Sequence, residues 1–288
     1  MVSSTLSKSI NKIKREIFSR VFIDRGGMDK IIYVAGGGRG GTTWLSDVLA
    51  NLYTFRIIFE PFWRLHLEVD GKADYFHHAY IPQERAKKYR KEIEFVLSGN
   101  YRNYDTNANY KFAAYKGRVV KDICSNAFLP AIHALFPRVP IILVTRHPCA
   151  VALSRTKKRE WGLEWGLHSH LFYDQTNFVN DILEGEVICP RNEFEDHAIT
   201  YFLENLVPAK KMHHGKDVFI VSYEELVKKR KDIVRQIVNY IGKTSGLEVD
   251  RKRFSMLETF LDQPSMLTNR SRAQLRKTGG WRDELSPE

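Results

Sequence analysis

Five short apolar runs alternate with longer stretches of helical pattern along the chain. Each run is rich in β-branched residues and short enough for a buried strand, and most are followed by apolar residues at helical spacing. The runs are IIYVA (31–35), FRIIF (55–59), RVVK (118–121), VPIILVT (139–145) and DVFIVS (217–222). Strands that alternate with helices form parallel sheets covered on both faces. The pattern therefore predicts an α/β fold with a central parallel sheet flanked by helices.

Two long helical patterns follow the later strands. An apolar stripe predicts a helix within 223–242 that stops at Gly242. A second pattern covers about 148–214 and is broken at CPRN (189–192). No repeat and no linker divides the chain, so one domain is predicted over 30–288.

Residues 1–29 are predicted to form a basic helical extension. Their apolar side chains fall near one face of a helix. These are Leu6, Ile10, Ile13, Ile17 and Val21. We expect this face to pack on a partner; contact with a membrane surface is the alternative.

The net charge says more about binding partners than the overall composition does. Of 288 residues, 43% are apolar and 27% charged, which is typical of globular proteins, but the net charge is +11. Such an excess favours anionic partners, among them nucleotides and sulfated or phosphorylated substrates. Three widely spaced cysteines exclude a disulfide framework and a zinc ribbon, and they fit a reducing, cytoplasmic compartment. The chain contains no apolar run of about 18 residues, so no membrane span is predicted.

The stretch GGGRGGTT (36–43) is similar to a phosphate-binding loop that lacks its lysine. Gly36, Gly41 and Thr43 occupy the conserved positions of G-x-x-x-x-G-K-[ST], Thr42 stands in place of the lysine, and Arg39 lies three residues earlier. The loop lies between a predicted strand and a predicted helix. Its backbone N–H groups and the positive end of the helix dipole would bind an anion.

A second candidate anion site follows the fourth strand. Arg146 ends that strand, and Pro148 suits the first turn of a helix in which Ser154 lies about two turns in. Arg146 and Ser154 could clamp one phosphate. The missing loop lysine, and an arginine where a metal-binding aspartate would stand, argue against hydrolysis of a Mg²⁺-bound triphosphate.

These two segments resemble the signatures of sulfotransferases that use 3′-phosphoadenosine 5′-phosphosulfate (PAPS). GRGGTTWL resembles their 5′-phosphosulfate loop, and VTRHPCAVALS their arginine–serine signature. VSYEEL (221–226) and RKTGGWRDELS (276–286) are similar to later segments of the family, in its bacterial and carbohydrate-type members more than in the steroid and phenol enzymes. Gly40 replaces a serine frequent in cytosolic members.

The resemblance implies a nucleotide donor, a hydroxyl-bearing (or amine) acceptor such as a carbohydrate or small molecule, and no metal or nucleic acid. It implies PAPS as donor and adenosine 3′,5′-bisphosphate as product, on a P-loop-like sulfotransferase fold. The residues that it assigns to donor binding are Arg39, Gly40, Gly41, Thr42, Thr43, Trp44, Arg146 and Ser154.

Glu60 is the candidate general base, because it ends the second strand beside the loop and similar E-P segments occur in carbohydrate sulfotransferases. Alternatively, Glu60 caps a turn or pairs with a nearby arginine. The rival bases are His66, His77 and His78. Lys121 also ends a strand, and with Arg39 it would complete the catalytic set; an exposed lysine at the rim is the alternative.

Aromatic residues in about 62–118 and 161–175 are expected to line the acceptor pocket. Two other functions remain possible from the residues alone. One is a kinase-like phosphotransferase with the same loop, and the other is a nucleotide- or polyanion-binding module without catalysis.

Overall fold

The computed structural model describes residues 23–63, 65–69, 72–75, 78–102, 106–107, 114–157, 169–262 and 282. The strands are β1 (Ile23–Asp24), β2 (Ile31–Ala35), β3 (Arg56–Phe59), β4 (His66–Val69), β5 (Lys72–Tyr75), β6 (Ala114–Tyr115), β7 (Arg118–Asp122), β8 (Ile141–Thr145) and β9 (Phe219–Ser222). The α-helices are α1 (Thr42–Tyr53), α2 (Arg90–Leu97), α3 (Leu129–Leu135), α4 (Pro148–Thr156), α5 (His170–Tyr173), α6 (Thr176–Asp181), α7 (Glu193–Lys211), α8 (Tyr223–Lys228), α9 (Arg230–Ser245), α10 (Arg251–Ser255) and α11 (Leu257–Asp262). Short 3₁₀ helices cover Pro61–Trp63, Gln83–Tyr89 and Asn126–Phe128.

A five-stranded parallel sheet forms the centre of the fold, in the order β3-β7-β2-β8-β9. The five predicted strands are the five strands of this sheet, so the predicted α/β class is confirmed. From the central β2 the chain first builds the β3 and β7 side, then crosses to β8 and β9. Because all strands run the same way, the segments that follow them meet at one carboxyl edge, where such folds bind ligands.

Apolar cores cover both faces of the sheet. Alternate residues of β2 point to opposite faces, as the period of a strand requires. Ile32 and Val34 join a cluster with buried residues of α1 and α9. Ile31, Tyr33 and Ala35 join a second cluster with residues of α2 and α3. The sheet is therefore rigidly enclosed, and its carboxyl edge has a fixed shape.

Helix α9 corrects one predicted boundary. Its apolar stripe is buried as predicted, but the helix continues past Gly242 to Ser245. Gly246 ends it with φ 75° and a backbone N–H bond to the Gly242 carbonyl. A glycine inside a helix only weakens it by about 1 kcal/mol, whereas a left-handed residue stops it.

The predicted helical stretch over 148–214 is more interrupted than its pattern indicates. Within its described part, α4, α5, α6 and α7 are separate helices. The predicted break at 189–192 is confirmed, since α7 begins at Glu193 directly after it. Asn192 caps that helix by accepting a bond from the Glu195 N–H at 2.9 Å. None of the helices among the described residues is long and apolar enough to cross a membrane.

A buried ion cluster lies at the opposite, amino edge of the sheet. Asp24 accepts bonds from Arg56 Nε at 2.6 Å and Arg118 Nε at 2.8 Å, from the first residues of β3 and β7. Burial lowers the pKa of Arg56 to about 10, against the opposing effect of Asp24. Residues 23–29, which the sequence assigns to the N-terminal extension, thus contribute a strand and this carboxylate to the domain. Residues 1–22 lie outside the described residues.

The Asp24 cluster generates a stability prediction. Replacing Asp24→Asn leaves two buried guanidinium groups without their counter-charge, so we expect a loss of about 3–5 kcal/mol in the free energy of unfolding. Urea titration of both proteins measures this loss. The exposed Asp29→Asn is the matched control and should stay within about 0.5 kcal/mol of the parent. Equal stability of the two variants would show that the cluster does not hold the amino edge.

Candidate active site

The glycine loop joins β2 to α1 at the carboxyl edge, as the sequence predicts. It follows Ala35 and enters the helix at Thr42. Gly41, immediately before the helix, has φ 98°, a value that favours glycine. Among the described residues no side chain caps α1, and its first turn carries no acidic residue. The first N–H groups of α1 and the positive end of its dipole are therefore available to an anion.

The loop is enclosed by residues from distant helices. A Cβ atom on Gly37 would lie 2.3 Å from Glu204 Oε2 and 2.5 Å from Tyr201 Cε2, both on α7. A Cβ atom on Gly41 would lie 2.6 Å from the ring of Tyr223, the first residue of α8. Close packing therefore favours glycine at both positions, and at Gly41 the backbone conformation favours it as well.

The side chains predicted to bind phosphate converge beside the loop. Arg39 Nε donates to Ser154 Oγ at 3.0 Å, and Arg146 Nη1 donates to the Arg39 carbonyl at 3.0 Å. The Arg146 guanidinium lies 4.5 Å from the centre of the Tyr223 ring. Its Nε is buried and has no hydrogen-bond acceptor among the described residues. A buried N–H of this kind fits an anionic ligand.

The remaining predicted loop residues differ in what they can offer a ligand. Gly40 donates its N–H to the Gly37 carbonyl at 3.0 Å, which closes the turn. Thr42 is buried and Thr43 is half-buried at the start of α1. The side chain of Trp44 packs in the apolar core and is 3% exposed. For Trp44, only the backbone N–H remains a candidate for donor binding.

The glycine loop packs against a buried ion pair that the sequence did not reveal. Arg155, on α4, donates to both carboxylate oxygens of Glu204 at 3.1 and 3.2 Å and approaches the Gly38 carbonyl at 3.4 Å. Burial raises the pKa of Glu204, and Arg155 opposes the rise. Tyr201, one turn earlier on α7, accepts the backbone N–H of Arg146 at 2.7 Å. One sequence signal for a buried arginine was present, because Arg155 lies on the same apolar side of its helix as residues 150–152.

Glu60 and Lys121 form a second charged pair at the same edge. Lys121 Nζ donates to Glu60 Oε1, and the Glu60 N–H donates to the Lys121 carbonyl at 2.6 Å. The Lys121 side chain is 3% exposed, and its ammonium lies 4.4 Å from the centre of the Phe59 ring. The alternative of an exposed rim lysine is therefore wrong. Glu60 keeps about a fifth of its side chain exposed (22%), so it can still meet a ligand.

The family model described as "Sulfotransferase family" matches residues 32–245, which is most of the chain and contains all of the site described above. The chain belongs to the sulfotransferase family. The resemblance of the two anion-binding segments to sulfotransferases is thereby confirmed at the level of the family.

This sulfotransferase is similar to several individual proteins. It is 25% identical over 269 residues to nodulation protein NoeE of Sinorhizobium fredii; the match covers 90% of this chain and 61% of that protein. Among solved structures, mouse sulfotransferase SULT7A1 complexed with PAP is 15% identical, with 94% of this chain and 84% of that one covered and a TM-score of 0.42. Sulfotransferase STF9 of Mycobacterium avium is 12% identical, with 82% and 68% covered and a TM-score of 0.44.

The histidines proposed as rival bases fall into two groups. The side chains of His66 and His77 lie outside the described part of the sulfotransferase. His78 is buried, and its ring lies 5.2 Å from that of Phe172. Its Nε2 is 3.9 Å from Glu204 Oε1, behind the glycine loop. His78 therefore lies next to Glu204 and Phe172 in the buried part of the site.

Several aromatics expected to line the acceptor pocket belong instead to the apolar core. Phe62 packs edge-on against Phe128 and is fully buried. Tyr80, Phe172 and Phe178 form a separate buried cluster with α7. The acceptor-pocket expectation is therefore wrong for Phe62, Tyr80 and Phe172, because a run of aromatics marks core packing as readily as a ligand surface. Residues 158–168 lie outside the described part.

The position of Arg146 generates a binding prediction. Replacing Arg146→Ala should weaken adenosine 3′,5′-bisphosphate binding by about 1.5–3 kcal/mol, the cost of losing a charge-assisted contact. Adenosine monophosphate, which lacks the 3′-phosphate, should lose much less, so the variant should barely distinguish the two. Isothermal titration calorimetry measures both affinities.

The control for this variant is Arg90→Ala, which removes a half-exposed arginine paired with Glu94 on α2. It should bind both nucleotides as the parent does. If Arg146→Ala still prefers the bisphosphate as strongly as the parent, Arg146 does not bind the 3′-phosphate.

Proposed function

We propose that this sulfotransferase uses PAPS as donor and transfers its sulfuryl group to a hydroxyl (or amine) of a carbohydrate or small-molecule acceptor. The observation that carries the proposal is the convergence of two anion sites at one sheet edge. One is the open N-terminus of α1 with the glycine loop, and the other is Arg146 with Ser154. A nucleotide with phosphate groups at both its 5′ and 3′ positions matches two such sites.

The loop is suited to stabilise the leaving group. As the acceptor oxygen bonds to sulfur, the bond from sulfur to the bridging oxygen breaks and negative charge grows on the 5′-phosphate. In the proposal, the N–H groups at the start of α1, the hydroxyls of Thr42 and Thr43, and the Arg39 guanidinium stabilise that charge. These groups are held in place before the ligand arrives, which is the condition under which electrostatic stabilisation is most effective.

Glu60 is the proposed general base. Its carboxylate lies at the carboxyl edge, remains partly exposed, and would take the acceptor proton as the new bond to sulfur forms. The buried ammonium of Lys121 holds this carboxylate by a direct ion pair. In the proposal, Lys121 orients Glu60 and contributes positive charge near the sulfonate.

A kinase-like phosphotransferase is the second candidate, because a glycine loop between a strand and a helix also occurs there. The loop has no lysine, and β8 ends at Thr145 followed by Arg146, where a metal-binding aspartate would be expected. Donor preference separates the two candidates.

The donor proposal predicts which nucleotide stabilises the protein. Adenosine 3′,5′-bisphosphate at a hundredfold excess over Kd should add about 2.7 kcal/mol to the free energy of unfolding. Mg²⁺-ATP at the same concentration should add less, because it lacks the 3′-phosphate. Thermal melts with each nucleotide measure the difference. A larger increase of the melting temperature with Mg²⁺-ATP would favour the phosphotransferase.

The base proposal predicts a selective loss of turnover. Glu60→Gln keeps the shape of the side chain and removes the base, so conversion of PAPS to the bisphosphate should slow by about 10²–10⁴. Affinity for the bisphosphate should stay near that of the parent. Because the variant leaves the Lys121 ammonium without its counter-charge, turnover is compared per folded molecule, as measured by the melting curve.

Glu94→Gln, a half-exposed carboxylate on α2, is the control and should keep full turnover. Near-parental turnover of Glu60→Gln would show that Glu60 is not the base, and the histidines at positions 66, 77 and 78 would then be the candidates.

A further inference from the structure

Glu60 has a backbone conformation that its sequence disfavours. Its φ is 46°, in the left-handed region, where residues other than glycine are uncommon. It also precedes Pro61, and a residue before proline prefers an extended conformation with φ near −120°. Strain of this kind persists only where the surrounding structure imposes it, and it concentrates at functional sites.

The restraints on Glu60 come from two consecutive residues at the end of β7. Lys121 bonds the backbone N–H of Glu60 through its carbonyl and the carboxylate through its ammonium. Asp122 holds the turn that follows: its Oδ2 accepts the Phe62 N–H at 3.0 Å. Its Oδ1 accepts the Cys124 N–H at 2.8 Å, which anchors the same carboxylate to the segment after β7.

Asp122 differs from Glu60 because it does not meet solvent. It is 0% exposed, so both of its described contacts are internal, and neither can be replaced by water. A carboxylate that accepts one backbone N–H with each oxygen needs both oxygens as acceptors. Its ionised form therefore ties the Glu60 turn to β7 in a way that an amide, whose NH2 group cannot accept an N–H bond, does not reproduce.

We propose that Asp122 is a positioning residue, which holds the turn after Glu60 so that the Glu60 carboxylate faces the reacting groups. This inference rests on the proposed function of Glu60. Asp122 does not touch the ligand in this arrangement; it acts through the Phe62 amide and through the strained backbone of Glu60.

Positioning by Asp122 is sensitive to pH. Burial, with a further contribution from the charge of Glu60, raises the pKa of Asp122 to about 6, while the two amide bonds and Lys121 oppose the rise. The other titratable groups facing it are the Tyr33 hydroxyl and the Cys124 thiol, whose pKa values burial raises, so both are neutral at neutral pH. As pH falls through about 6, Asp122 gains a proton, and its protonated oxygen becomes a weaker acceptor for the amide that it binds. The two amide bonds are therefore strongest above this pH, whereas burial of the carboxyl itself favours the protonated form below it.

The test compares Asp122→Asn with Asp196→Asn. Asp196 is also a buried carboxylate that accepts a backbone N–H, from Ser169 at 3.1 Å, but it lies on α7 away from the Glu60 turn. We expect Asp122→Asn to lower PAPS turnover per folded molecule at least tenfold, with bisphosphate affinity within twofold of the parent. Asp196→Asn should keep turnover. Unchanged turnover in Asp122→Asn, or an equal loss of turnover and affinity, would overturn the inference.

A second measurement uses the parent protein, in case Asp122→Asn does not fold. Amide hydrogen exchange at pH 7.5 should show the Phe62 and Cys124 amides protected, because both donate to the buried Asp122 carboxylate. Absence of protection of either amide at pH 7.5 contradicts the inference.

The Glu60→Gln variant separates this inference from the proposed function. If Glu60→Gln loses turnover but Asp122→Asn does not, only the role of Asp122 fails. If Glu60→Gln keeps turnover, Glu60 is not the base, and the positioning role fails with it.

Discussion

The buried ion pair between Arg155 and Glu204 is the constraint on which the donor side of the site depends. It joins α4 to α7 and lies against the back of the glycine loop, with the guanidinium also directed at the Gly38 carbonyl. A buried carboxylate next to an anion-binding loop would repel its ligand, and Arg155 neutralises that charge. The Gly38 carbonyl faces Arg155, while no side chain caps the N–H groups at the start of α1 among the described residues. In the proposed function, residues that do not touch the anion thus shape the loop that would bind it.

The two edges of the sheet carry buried charges with different consequences. At the amino edge, Asp24 is enclosed by two arginines and lies far along the strands from the candidate active site. At the carboxyl edge, Lys121 and Asp122 hold Glu60, which remains partly exposed and strained. Natural proteins place such strain where chemistry needs a fixed geometry and support it with packing elsewhere. The rigid parallel sheet provides that support, because both of its faces are covered by apolar cores.

Local patterns in the sequence predicted the parts of the fold and site that are local in the chain. The strand, glycine loop and helix start are contiguous, and Arg146 and Ser154 lie only eight residues apart, so the first was found from its pattern and the second from a short family signature. Pairs such as Arg155 with Glu204, which are 49 residues apart, are brought together only by tertiary packing. The aromatic segments were misassigned for a related reason: Phe62 and Phe172 look the same in sequence whether they bind a ligand or fill the core. The predicted helix end at Gly242 was wrong, because the low helix propensity of one glycine is a weaker effect than the packing of the apolar stripe around it.

The close approach of Gly37 to α7 limits how this loop can change. Any side chain at position 37 would overlap the Glu204 carboxylate and the Tyr201 ring, and Tyr201 also holds the backbone of Arg146. Positions 37, 201 and 204 therefore form one steric unit that contacts both candidate anion sites. Related sequences should vary at these positions only in concert, and an engineer who wishes to alter the donor loop must redesign a helix more than 150 residues further along the chain.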